Sequence, residues 1–244
     1  MNSELKITKK DSDTAVLFIH GILGTPRHFD FLLPLLPEKW SCRTLLLPGH
    51  GGNCRDFSES SMDEWKAYCE SALLELAANH KRVLLVGHSM GTLLSVYLAE
   101  KYPEKTGGIF ALAMPLYPQF TPVAMAGCLH ALLRSPDTDT AYQRSVREAC
   151  SIKLSKNPFV YIGWIPRYLE LFALCRETRK LMPELKVPCT AIQSRKDELV
   201  AFRSAKHTGK AGTLILPDSR HYFYSPEDRE TIKKEFHEFI ESYK

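Results

Sequence analysis

The sequence predicts an α/β protein built on a mostly parallel, doubly wound sheet with helices on both faces. Three observations carry this. Short apolar runs rich in β-branched residues recur and alternate with helix-like stretches, the pattern of a parallel sheet covered on both sides. Gly87-His88-Ser89-Met90-Gly91 lies directly between one such strand-like run and a helix-like run. Residues 115–186 interrupt the alternation with proline-punctuated helical pieces.

The elements follow in order. Thr14–Ile19 reads as a buried strand. Thr25 is a candidate N-cap and Pro26 an N1 proline for a helical stretch, which Pro34 should kink or end early. Ser41 to Leu47 is a second strand, stopped by Pro48-Gly49-His50-Gly51-Gly52. Ser61-Met62-Asp63-Glu64 is a capping box, opening a helix that runs to about Asn79. Arg82–Val86 is the next strand, followed by a helix from about Ser89 to Lys101 and a strand over Gly108–Ala113. Amphipathic pieces then span Met125–Arg134, Thr140–Lys153 and Pro166–Met182. Alternation resumes with a strand at Val187–Gln193, a helix near 200–207, a strand at Thr213–Leu216 and a helix over Pro226–Ser242. The chain therefore divides into a core, 1–114 with 187–244, and a helical cap or lid insertion at 115–186.

Composition narrows the class. A chain of 244 residues, 44% hydrophobic and 25% charged, fits one large domain that needs no disulfide or metal to fold. No apolar run reaches transmembrane length. Met1–Lys10 is polar and basic without an apolar stretch, so no secretory signal is expected. The 7 cysteines contain no C-x-x-C pair, which fits reduced thiols and a cytoplasmic location. Neither H-E-x-x-H nor clustered Cys/His appears, so no metal site is expected. The net charge of +4 is too mild to imply nucleic acid. Residues 117–186 hold ten Lys/Arg against six Asp/Glu, while the rest of the chain carries 22 of each. A solvated basic face is the plainer reading; a segment that meets anionic interfaces or acidic substrates is the sharper one.

The chemistry centres on Ser89. A serine at a sharp strand-to-helix turn has its hydroxyl exposed at the strand end, and flanking glycines allow the turn. A glycine-rich turn that merely contains serine is the plain alternative. As a nucleophile, Ser89 needs a base and a group to orient it. Nine histidines compete. His221 follows the last strand, at the same carboxyl edge as Ser89. His80 and His237 read as exposed or terminal positions on helices, His88 as a neighbour that packs beside the serine, and His20 as a residue ordering the next loop. Asp197 follows the preceding strand and is the first choice of orienting carboxylate, with Glu198 second. Asp218 shares the His221 loop, which makes a contact with Nδ1 awkward. The order Ser, Asp, His is that of elbow-type hydrolases. Backbone N–H groups of Ile22 and Met90 are the candidate oxyanion hole.

With these residues in place the chain resembles the α/β-hydrolase superfamily. The likeness rests on Phe18-Ile19-His20-Gly21, Leu47-Pro48-Gly49-His50-Gly51, the Ser89 elbow, Asp197 and Ser219-Arg220-His221-Tyr222. Within it, the His20–Pro26 loop and compact cap resemble bacterial carboxylesterases and monoacylglycerol lipases. The resemblance implies cleavage of short- or medium-chain acyl esters or monoacylglycerol, a catalytic triad, and no cofactor. Arg220 departs from it, standing where the family has glycine, and suits a substrate with a carboxylate or phosphate.

Specificity should come from the cap. Phe159, Tyr161, Ile162, Trp164, Ile165, Tyr168, Leu169 and Phe172 form an apolar cluster, most of which reads as the cap's own core. The remainder would line an acyl slot against Ile22-Leu23, with Leu23, His88, Trp164, Tyr168 and Arg220 as candidate substrate contacts. The expected partner is a small-molecule ester, with no nucleic acid or integral membrane association; transient contact with a lipid interface and any oligomeric state stay open. A thioesterase, an acyltransferase, a C–C bond hydrolase, or a non-catalytic small-molecule receptor would use the same machinery.

Overall fold

A computed structural model describes residues 3–9, 12–208 and 213–244. Its centre is a seven-stranded sheet. The strands are β1 (Leu5–Ile7), β2 (Thr14–Ile19), β3 (Ser41–Thr44), β4 (Arg82–His88), β5 (Thr106–Leu112), β6 (Cys189–Ser194) and β7 (Thr213–Leu216). Their order across the sheet is β1-β3-β2-β4-β5-β6-β7. All pairs are parallel except β1 with β3.

β1 has no counterpart in the sequence reading. Three exposed residues on an edge carry too little apolar pattern to be seen, and pairing to β3 supplies what propensity does not. The central strands are buried on both faces, and their side chains alternate between two cores. Ala15, Leu17, Ile19 and Leu85 enter the first; Val16, Phe18, Leu84 and Val86 enter the second.

Helices α1 (Cys54–Glu59), α2 (Met62–Ala77), α3 (Met90–Lys101), α4 (Pro122–Leu133), α5 (Ala141–Ala149), α6 (Ile165–Leu181) and α7 (Pro226–Glu241) complete the chain. The first core is closed by α2, α3 and α6 through Trp65, Leu73, Leu93 and Leu174, the second by α7 through Ile232, Phe236 and Ile240. Ser61 caps α2, its hydroxyl accepting the Glu64 N–H at 3.1 Å. The stretch after Thr25 is shorter than the sequence suggests. It forms 3-10 turns at Pro26–Phe29 and Leu33–Leu35, the second containing Pro34. None of the described helices is long and apolar enough to cross a membrane.

Residues 115–186 behave in two ways. The later half of α6 buries Leu171, Leu174, Cys175 and Thr178, so it belongs to the first core. The apolar run before it does not form a core of its own. Phe159, Ile162, Ile165 and Leu169 are 75%, 61%, 56% and 60% exposed, which overturns the expectation that most of that cluster is buried within the segment. Periodicity gives the apolar stripe of a helix but not whether anything covers it.

Phe236 touches Phe18 and Phe110 in the second core, at centroid separations of 6.4 and 5.1 Å. Phe236→Ala should lower stability by about 3–5 kcal/mol, read as a lower urea midpoint with an unchanged slope.

Candidate active site

The chain reverses at one residue between β4 and α3. Ser89 has φ 51° and ψ −123°, a strained conformation for a residue with a side chain. Its surroundings hold it there. The Ser89 N–H donates to Leu112 O at 2.9 Å, and Ser89 O accepts from Thr92 N at 2.9 Å and Thr92 Oγ1 at 2.7 Å. The turn packs so tightly on β2 that a Cβ on Gly91 would lie 1.9 Å from Ile19 O. A Cβ on Gly21 would lie 2.9 Å from Ser89 Cβ, so the loop after β2 presses directly on the serine.

His221 stands on the loop between β7 and α7. Its Nδ1 lies 2.9 Å from Asp197 Oδ2 and 3.1 Å from Oδ1. Asp197 comes from the loop after β6 and is itself fixed: Oδ1 accepts the N–H groups of Leu199 and Val200, both at 2.8 Å, and Oδ2 accepts Gln193 Nε2 at 3.3 Å. Both side chains are buried. Burial disfavours the His221 imidazolium, but the Asp197 charge and hydrogen bond, with Glu198, outweigh it and raise its pKa above 6.5. His88 joins this pair to the serine turn: its Nε2–H donates to His221 O at 3.1 Å.

Other histidines are held neutral. His20 Nε2 accepts the Leu47 N–H at 3.1 Å while Nδ1–H donates to Gly21 O at 2.8 Å. His50 Nε2 accepts the Leu23 N–H at 3.2 Å while Nδ1–H donates to Pro48 O at 3.2 Å. A ring whose nitrogen accepts an N–H cannot be protonated there, and burial agrees, pushing His20 to about 4 and His50 well below 6.5. Burial, then His221, lowers His28 to about 3; its ring lies 3.8 Å from that of His88. His80, read from sequence as an exposed helix end, is instead buried, with Nδ1–H donating to Ser12 O at 2.7 Å. His237 is exposed beside Glu241.

The loop after β2 carries Ile22 and Leu23. Leu23 has φ 58° and is clamped on both sides, its N–H by His50 and its carbonyl by the Ser151 N–H at 2.8 Å. Among the described residues, neither the Ile22 N–H nor the Met90 N–H meets a hydrogen-bond acceptor.

The remaining predicted contacts scatter. Tyr168 packs on Phe120, its ring centroid 6.4 Å away; the Tyr222 ring is 4.6 Å from that of His221, and burial first and Tyr168 next raise the Tyr222 hydroxyl well above 10. The Arg220 guanidinium lies over the Tyr142 ring at 4.9 Å. Trp164 belongs to the first core, donating from Nε1 to Cys54 O at 3.0 Å and packing on Phe57 and Tyr161. Asp218 pairs with Lys196 at 2.7 Å and leaves His221 alone.

Asp228 escaped the sequence reading, and Glu198, named there as the second candidate carboxylate, has a different role. Buried Asp228 accepts from Ser219 Oγ at 2.7 Å and the Asp218 N–H at 3.0 Å, tying the His221 loop to the start of α7. Ser225-Pro226-Glu227-Asp228 has the spacing of a helix start, a signal that was available. Glu198 Oε2 accepts the His221 N–H at 3.2 Å, which no spacing rule announces. Among the described residues, no three His, Cys, Asp or Glu side chains are grouped to hold a metal ion.

Residues 16–233 match the profile of the alpha/beta hydrolase family. The pimeloyl-[acyl-carrier protein] methyl ester esterase of Neisseria meningitidis serogroup C is 26% identical over 220 residues, 81% of this chain and 80% of that protein. Among solved structures, one of metagenome-derived lipolytic enzymes aligns with a TM-score of 0.73 at 23% identity, covering 99% of this chain and 98% of that one. The monoacylglycerol lipase of Paleococcus ferrophilus aligns at 0.69 and 20% identity, covering 99% of both chains. At these identities the structural likenesses speak for the fold.

Gly91→Ala forces a methyl group onto the Ile19 carbonyl and should abolish the cooperative thermal transition followed by circular dichroism. Gly127→Ala is the control: its methyl meets nothing nearer than the Tyr142 hydroxyl at 3.4 Å, and the transition should stay within a few degrees.

Proposed function

We propose that the chain, which belongs to the alpha/beta hydrolase family, is a serine hydrolase of carboxylic esters that works through an acyl-enzyme. The observation that carries the reading is the buried His221–Asp197 pair, linked through His88 to the strained turn at Ser89. Ser89 Oγ attacks the ester carbonyl as His221 takes its proton; Asp197, on Nδ1, fixes the tautomer that leaves Nε2 free to do so. The oxyanion forms against the N–H groups of Ile22 and Met90, each worth on the order of 100- to 1000-fold in rate. His221 then protonates the departing alcohol, and water, activated by the same ring, releases the acid. No metal or organic cofactor enters this scheme.

For substrates we propose short- or medium-chain acyl esters or monoacylglycerol. The name of the Neisseria relative, an esterase of a methyl ester, supports an ester, and the apolar side chains of Leu23 and Tyr168 support an acyl chain between the β2 loop and residues 115–186. In this reading 115–186 is the cap over the strand ends, and Arg220 faces the polar end of the substrate. Ser89 and His221 are 6% and 1% exposed, so the cap must yield to admit one. We place the enzyme in the cytoplasm.

Ser89→Ala should abolish both hydrolysis of p-nitrophenyl butyrate and labelling by a fluorophosphonate, with an unchanged melting curve. A labelled, active Ser89→Ala protein, or a parent that cleaves only a thioester or a C–C substrate, would overturn the reading. The pH dependence has a fixed sign. His221 acts as base only when neutral, and Asp197 favours its charged form, so kcat/KM should fall on the acid side through a pKa above 6.5. Asp197→Asn should cost about 10⁴ in kcat and move that limb to lower pH.

A further inference from the structure

We propose that Glu198 is a positioning residue for His221, and that Tyr142 makes this positioning depend on how residues 115–186 are seated. The proposal rests on the reading of His221 as the general base.

Glu198 is 4% exposed, and a buried carboxylate is retained only where donors satisfy it. One donor is the backbone N–H of His221, 3.2 Å from Oε2. The other is the hydroxyl of Tyr142 in α5, 2.7 Å from Oε1. The tyrosine therefore reaches the histidine through a single carboxylate. It also touches the opposite neighbour, because the Arg220 guanidinium lies over its ring.

The main chain repeats the arrangement. Thr121 Oγ1, which also caps α4, donates to Glu198 O at 3.1 Å. Gln119 Nε2 donates to Asp197 O at 3.0 Å, and the Gln119 N–H to Leu199 O at 2.8 Å. Both carboxylate residues flanking His221 are thus held from the segment between β5 and β6.

Two effects follow. The bond to the His221 N–H fixes the backbone from which the imidazole projects. The negative charge lies beside a ring that becomes cationic as Ser89 is deprotonated. The other groups at His221 are Asp197, His88 and Tyr222, with His28 packed on His88; Tyr142 bonds Glu198, Arg220 lies over the Tyr142 ring, and the Glu198 charge reaches the Cys128 thiol and pushes its pKa up after burial does. Glu198 adds to Asp197 in favouring protonated His221.

The test is the pH profile of p-nitrophenyl butyrate hydrolysis by the parent, Glu198→Gln, Glu198→Ala and Tyr142→Phe. Glutamine keeps an acceptor for the His221 N–H and loses the charge. Its acid limb should move down by about half a pH unit or more, and kcat should fall, but less than in the alanine variant. Alanine loses acceptor and charge together, so kcat should fall further than in the glutamine variant, with the same shift of the limb. Tyr142→Phe keeps the charge but removes a donor from it. Its limb should move upward, and KM should rise more than kcat falls. Because Tyr142 is only half-buried, this variant decides the matter if the Glu198 variants do not fold. Limbs and kcat that coincide with the parent in every folded variant would overturn the proposal. A parent with no activity, or with no acid limb, would instead overturn the reading of His221, and the two failures are distinct.

Discussion

The approach of α3 to β2 governs the geometry of this site. Gly91 touches the Ile19 carbonyl so closely that no side chain fits between them. That contact brings the end of β2 against the turn at Ser89 and forces the loop after Ile19 across its face. The strain at Ser89 is sustained by the hydrogen bonds around it and by packing on both sides, not by the residue's own preference. The loops that carry Asp197 and His221 leave the same carboxyl edge of the sheet as the serine turn. Asp197 follows β6 and His221 follows β7, so parallel pairing of adjacent strands delivers the two loops side by side.

Electrostatics then separates His221 from the histidines around it. His20 and His50 each give one nitrogen to accept a backbone N–H, which makes them rigid neutral struts for the loops at 20–24 and 47–50. His88 and His28 pack ring against ring at a tilt, and burial keeps both uncharged. His221 alone among them has a carboxylate at its ring. A positive charge can therefore form at one imidazole in the group, the one adjacent to the serine turn. Acidification would place charge on the others only against burial and mutual repulsion.

The sheet and the elbow were legible in the sequence because their signals are local. A buried strand, a glycine-flanked serine and a strand-to-helix switch occupy a dozen residues. Asp197 and His221 could be chosen from strand order alone, since topology fixes which loops share an edge. His80 was misread because its partner, the Ser12 carbonyl, lies 68 residues away and turns a helix end into a buried position. Glu198 was ranked only as an alternative to Asp197; its actual bonds go to a main-chain N–H and to a tyrosine from another segment. Trp164 and the exposed apolar run share one cause. Hydrophobic spacing identifies a face, and only the tertiary arrangement decides whether a core, a substrate or solvent meets it.

The segment from 115 to 186 shows what that ambiguity conceals. The apolar run at 159–169 does not form the core expected of it, and the stretch before it is organised by polar contacts. Asp139 accepts from Arg147 Nε and pairs with His130, each at 2.8 Å, and Thr140 opens α5 with a reciprocal capping box. Polar contacts also tie the segment to the loops at 23 and 197–198. Gln119, Thr121, Tyr142 and Ser151 end on Asp197, Glu198 and Leu23. Apolar burial is nearly indifferent to small displacements, whereas a hydrogen bond specifies distance and direction. A segment seated by hydrogen bonds on the loops of the site thus transmits its own position to those loops. The later half of α6, packed in the first core, fixes the other end of the segment by apolar burial.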